Sequence, residues 1–205
     1  MRIALLGGTF DPIHNGHLRA ARAVADQFAI DEVHFIPAFR PPHKTADGIT
    51  SAFHRSAMVA IAIAPFDRFR LSTIELDHLE RRFTVDTLQE VHRRHPDAGL
   101  LFVVGTDLYA EIDQWKQFRR LFESTSLAVV NRPGFPMRED LAPVCAAETA
   151  GDIGPDGPHR VYYLRDVSVD ISSTDVRTAL ANRTGGMDMV PPQVLEYIRN
   201  HELYS

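Results

Sequence analysis

Cysteine is nearly missing from this 205-residue chain, where Cys145 stands alone. A single thiol excludes an intrachain disulfide and any cysteine-based metal cluster. Long apolar runs are missing too: no stretch approaches the roughly 18 residues that cross a bilayer. The N-terminus also lacks a basic region leading into an apolar signal core, because polar residues return by Asp11. Excess positive charge is absent as well, with 22 Lys and Arg against 27 Asp and Glu and a formal net charge of −5. That removes the basic face of a non-specific nucleic-acid binder. It leaves room for a local cationic cluster that takes a small anion. These absences predict a cytoplasmic protein with neither a membrane nor a nucleic acid as partner.

What is present is an ordinary globular composition, 44% hydrophobic and 24% charged, in a chain long enough to bury one sizeable core. Apolar runs at Ile3–Leu6, Val33–Pro37, Arg70–Leu76, Leu100–Val104, Leu127–Asn131 and Val161–Leu164 read as strands. Helical spacing falls between them: Leu18, Ala21, Ala25 and Phe28; Ala57, Met58 and Ile61; then Val85, Leu88 and Val91 behind Thr84 as a cap. Such alternation predicts an α/β fold, a parallel sheet with helices on both faces, whose ligands sit beyond the carboxyl ends of the strands. The C-terminal part is helical. Ser172 and Asp175 have the spacing of a capping box, and Pro191-Pro192 leads into a last helix through Val194, Leu195 and Ile198. Residues 1–205 read as one domain, with a core over 1–165 and a small helical part over 166–205. Pro133–His159 is the least patterned stretch; it reads as a surface loop or variable helix, with Gly151–Pro158 mobile.

The stretch with chemistry in it follows the first strand: Gly7-Gly8-Thr9-Phe10-Asp11-Pro12-Ile13-His14-Asn15-Gly16-His17. Glycines let the backbone turn and approach a ligand, and the helix that follows offers free N–H groups and a positive end to phosphate. His14 and His17, three apart, share one side of that helix and can donate to a phosphate whose charge grows during reaction. A plain turn with two surface histidines is the bland alternative, and two glycines alone would favour it. A zinc pair lacks the third ligand and glutamate of a helical zinc motif. Neither a Gly-Lys-Ser/Thr loop nor GxGxxG is present.

This string resembles the first motif of the HxGH nucleotidyltransferases, which use a Rossmann-like fold, and Ile171-Ser172-Ser173-Thr174-Asp175-Val176-Arg177 resembles their second. By itself the second would read as a capped amphipathic helix. Further strings are similar to the bacterial nicotinate-nucleotide adenylyltransferase family. They are Pro41-Pro42-His43-Lys44, Glu75-Leu76-Asp77 with Arg82–Leu88, Gly105-Thr106-Asp107 with Trp115, Asn131-Arg132-Pro133-Gly134, and the tail through Leu203-Tyr204. The main gap in the resemblance is Met137–Arg160, which departs in length and composition.

The resemblance implies adenylyl transfer from ATP to nicotinate mononucleotide, giving nicotinate adenine dinucleotide and pyrophosphate in NAD biosynthesis. It implies His14 and His17 as catalytic residues, and Gly8, Thr9, Phe10, His14, His17, Lys44, Ser172, Ser173 and Arg177 as the ATP site. The acceptor site would be Thr84, Val85, Asp107, Trp115 and Arg132. Backbone N–H groups near Thr84 and Val85 suit a carboxylate, and Asp107 can accept from ribose hydroxyls. Trp115 either stacks on the pyridine or anchors the core; Arg132 either faces the nucleotide or closes a surface ion pair. Mg²⁺ is expected with ATP, held by phosphate oxygens and water rather than by protein side chains. Homo-oligomerisation stays open. Alternative readings are transfer to nicotinamide mononucleotide or phosphopantetheine, and a non-catalytic nucleotide-binding regulator. Phosphopantetheine enzymes usually carry threonine where His14 stands, and a regulator could dispense with His17, Lys44 or Arg177.

Overall fold

A computed structural model of the chain describes residues 1–40, 48–77, 83–141, 144–145, 153–155, 157, 159–182, 185 and 188–204. Its elements run β1 (Arg2–Gly8), α1 (Asn15–Gln27), β2 (Glu32–Pro37), α2 (Ala52–Ile63), β3 (Phe69–Leu71), α3 (Thr84–Arg94), β4 (Gly99–Gly105) and α4 (Thr106–Tyr109). A single 3₁₀ turn (Ile112–Gln114) then precedes α5 (Phe118–Ser124), β5 (Ser126–Asn131), β6 (Val144–Cys145), β7 (Val161–Ser168), α6 (Ser173–Ala181) and α7 (Pro192–Asn200). The strands form one sheet in the order β3-β2-β1-β4-β5-β7-β6, every pair parallel. This is the expected Rossmann-like α/β architecture.

Period-two alternation splits the core between the two faces of the sheet. In β1, Ala4 and Leu6 pack with α1, α2 and α7 through residues such as Val24, Met58 and Val194. Ile3 and Leu5 pack on the other face with Val85, Leu88 and Val91 of α3 and Leu121 of α5. Strand order reverses between β1 and β4, and a parallel sheet opens a crevice at such a switch point. Gly8 and Gly105 end the two strands there.

Several boundaries differ from expectation. The strand expected over Arg70–Leu76 is only Phe69–Leu71, because the amides of Leu76 and Asp77 bond back to the Thr73 carbonyl in a turn. Helix α2 buries Arg55, Met58, Val59 and Ala62, while Ala57 and Ile61 are half-buried. Thr84 is the first helical residue and Phe83 the cap. The unpatterned stretch contributes β6 to the sheet edge and buries Ile153 against Gly99, where a plain surface loop or variable helix was expected. Residues 151, 152, 156 and 158, from the segment expected to be mobile, lie outside the described residues. Strand β7 crosses position 165 and ends at Ser168. No helix among the described residues is long and apolar enough to cross a membrane.

Candidate active site

The turn between β1 and α1 is held from several directions. Phe10 adopts a left-handed φ of 51° and buries its ring against Phe35 and the edge of His17. Only its backbone therefore faces outward, beside Gly8 and Thr9. Arg55, 1% exposed, lies beneath the turn. Its guanidinium donates to the carbonyls of Thr9 at 2.5 Å, Ala38 at 2.6 Å, Phe39 at 3.3 Å and Thr50 at 2.9 Å. A planar cation with five donors suits such a set of converging, part-buried carbonyls.

His14 caps α1 with extended backbone and His17 follows in its first turn. Their rings stack with centroids 3.6 Å apart. The His14 amide donates to Nδ1 of His17 at 3.2 Å, which leaves the proton of a neutral His17 on Nε2. Nδ1 of His14 is buried without a partner among the described residues. Burial, reinforced by the charge of Arg132 and opposed by Asp175, lowers the His14 pKa to about 4. Burial, His14 and Arg132 hold His17 well below the ordinary range too. Both rings are thus neutral at pH 7. Gly16 is required between them, because a Cβ there would lie 2.6 Å from Val169 Cγ1 and 3.0 Å from His14 Nδ1.

The C-terminal motif reaches the same turn. Ser172 caps α6 in a reciprocal box with Asp175. Ser173 Oγ donates to the Pro12 carbonyl at 3.0 Å, and Arg177 Nη1 to the Asp11 carbonyl at 2.7 Å. The Asp11 side chain is buried and accepts from the Tyr204 hydroxyl at 2.6 Å. Burial and then this bond push the Tyr204 phenol up. Arg132 forms the ion pair left open for it, with Asp107 at 3.1 Å, and its charge also bears on both histidines. Lys44 lies outside the described residues.

Beside the turn is a cavity of about 260 Å³. Its lining includes Gly8 and Thr9 on one side and Phe83, Thr84, Trp115 and Lys116 on the other. Trp115 is half-buried, meets Phe102 edge-on at 6.3 Å, and joins the core while walling the cavity. Val85 buries its side chain, leaving only its backbone for a ligand. Thr87 donates to Glu75 at 2.8 Å on the cavity wall. Sequence reasoning missed Phe83, Thr87 and Lys116 as cavity residues and Asp11, Arg55 and Tyr204 as braces. Each sits within or next to a motif string, but what it touches is decided by elements far away in the chain.

A nucleotide-sized crevice at the switch point, with paired imidazoles at a helix start, defines a nucleotide-handling α/β protein. The family model described as cytidylyltransferase-like matches residues 5–179. A Geobacter sp. (strain M21) protein named "Probable nicotinate-nucleotide adenylyltransferase" is 37% identical over 213 residues, covering all of this chain and 98% of its own. A Kineococcus radiotolerans protein of the same name is 38% identical over 200 residues, covering 98% and 89%. The chain belongs to the nicotinate-nucleotide adenylyltransferase family, within the cytidylyltransferase-like proteins. Its fold is also that of the Plasmodium falciparum nicotinic acid mononucleotide adenylyltransferase solved with NaAD, with a TM-score of 0.78 at 22% identity, covering 99% of this chain and 97% of that one.

Proposed function

We propose that the protein transfers the adenylyl group of ATP to nicotinate mononucleotide, forming nicotinate adenine dinucleotide and pyrophosphate for NAD biosynthesis. The observation that carries this reading is the wall shared by the two halves of the site. Gly8 and Thr9 belong both to the turn under the imidazoles and to the cavity faced by Trp115 and the start of α3. A phosphate at the turn and a pyridine ring in the cavity would therefore be neighbours.

In this reading the 5′-phosphate of the mononucleotide attacks the α-phosphorus of ATP, and pyrophosphate leaves in line. The nucleophile is already an anion, so no protein base is required. Rate comes from positioning and charge stabilisation. His17 presents Nε2–H to the α-phosphate with His14 behind it. A neutral donor needs no counter-ion in the empty site and gains strength as negative charge builds on the phosphate. Gly8, Thr9 and Phe10 contribute backbone, and Lys44, Ser172, Ser173 and Arg177 complete the ATP side. Arg177 spends one donor on the Asp11 carbonyl and another on Thr174, which leaves others of its five for phosphate. Thr84 and Val85 offer N–H groups to the acceptor carboxylate, Trp115 a stacking face, and Asp107 and Arg132 polar contacts.

Among the described residues no group of three His, Cys, Asp or Glu side chains could enclose an ion. Mg²⁺ would be held by ATP phosphate oxygens and water, where it offsets phosphate charge. A single domain divided near residue 165 and a cytoplasmic location remain part of the proposal. Incubation with ATP, Mg²⁺ and nicotinate mononucleotide, followed by chromatography, tests it. Dinucleotide and pyrophosphate should appear in equal amounts; ATP consumption without dinucleotide would refute it.

A further inference from the structure

Only two lysines occur in the whole sequence, Lys44 and Lys116. Lys116 follows Trp115 and lines the cavity, where Glu75 is the other charged lining residue. Lys116 Nζ lies 4.7 Å from the centre of the Phe83 ring and 3.1 and 3.2 Å from the two carboxylate oxygens of Asp86. It therefore sits over the first turn of α3, which Thr84 and Val85 open.

That placement resolves a conflict in the sequence. A helix start favours an anion, but α3 carries Asp86 in its first turn, and a fixed carboxylate there repels a second one. We infer that Lys116 is a specificity-determining residue, which cancels Asp86 and supplies positive charge for the acidic form of the pyridine acceptor. The inference rests on the proposed adenylyl transfer to a pyridine mononucleotide. A carboxylate entering this largely apolar cavity loses more hydration than a carboxamide, so it gains more from a cation placed over the first turn of α3. Stacking on Trp115 treats acid and amide alike, while the N–H groups at the start of α3 favour the acid and Glu75 on the cavity wall opposes it. Lys116 is 40% exposed as a side chain, so its replacement leaves the core untouched.

The test is steady-state kinetics of wild type, Lys116→Met and Lys116→Arg with nicotinate and nicotinamide mononucleotides at saturating ATP and Mg²⁺. Lys116→Met should raise KM for the acid about tenfold, the scale of a charge-assisted contact, and move KM for the amide less than twofold. Lys116→Arg should keep the wild-type preference. Equal changes for both acceptors, or none for either, would overturn the inference while leaving adenylyl transfer intact. Absence of dinucleotide from wild type with either acceptor would instead overturn the proposed function and this inference with it.

Discussion

The donor role proposed for His17 rests on a bond that its own helix makes: the His14 amide occupies Nδ1, and the proton stays on Nε2. Replacing His17 by Ala should lower kcat about 10²- to 10³-fold, the range for losing one donor to developing charge, with KM for ATP nearly unchanged. Steady-state kinetics checks this, and near-normal kcat would remove His17 from the mechanism. His14 gives a separate test through its lowered pKa. The unfolded chain binds a proton at residue 14 near pH 6.5, whereas the folded protein resists until about 4. The stability contributed by neutral His14 is therefore full above pH 6.5 and declines as pH falls toward 4. Between pH 7 and 5 the loss is about 2 kcal/mol. Urea denaturation should show a smaller loss over that interval in His14→Asn than in wild type; equal losses would contradict the burial of a neutral ring. Both histidines were legible in the sequence because their spacing is local. Their neutrality was not, because burial and the Arg132 charge come from other parts of the chain.

Elements are where the local signals succeed and fail most visibly. The Ser172–Asp175 box at the start of α6 was readable because both partners lie within one turn. The start of α3 was misjudged by one residue: Asp86 bonds back to the amide of Phe83, so an aromatic residue holds the cap position that Thr84 was expected to fill. Arg55 lies in a segment whose sequence signal is only helical spacing, and the structure makes it the brace joining α2 to the turn after β1 and the end of β2. Replacing it with Met would leave the part-buried carbonyls of Thr9, Ala38 and Thr50 without their donor. At about 1–3 kcal/mol for each unsatisfied group, Arg55→Met should destabilise the protein by about 3 kcal/mol or more in urea unfolding. A change below 1 kcal/mol would show that the turn holds itself.

Across the whole molecule, the turn at residues 9–12 is completed by residues more than 160 positions later. Ser173, Arg177 and Tyr204 all bond to it, and the Asn15 amide bonds to the Met189 carbonyl at 2.8 Å. The first and second motifs therefore meet at the turn after β1, and α/β alternation in the sequence was enough to anticipate the crevice between β1 and β4. Of the cavity wall, Gly8, Thr9, Thr84 and Trp115 were legible in the sequence, but Phe83, Thr87 and Lys116 were not, since they are drawn together by the packing of α3 against the segment before α5. The central claim is that the paired histidines set the chemistry while this cavity selects the acceptor. Its most direct test is a competition assay offering nicotinate mononucleotide, nicotinamide mononucleotide and phosphopantetheine together with ATP and Mg²⁺, with products resolved by mass. The account predicts nicotinate adenine dinucleotide as the dominant product; a dominant amide dinucleotide or dephospho-coenzyme A would contradict it.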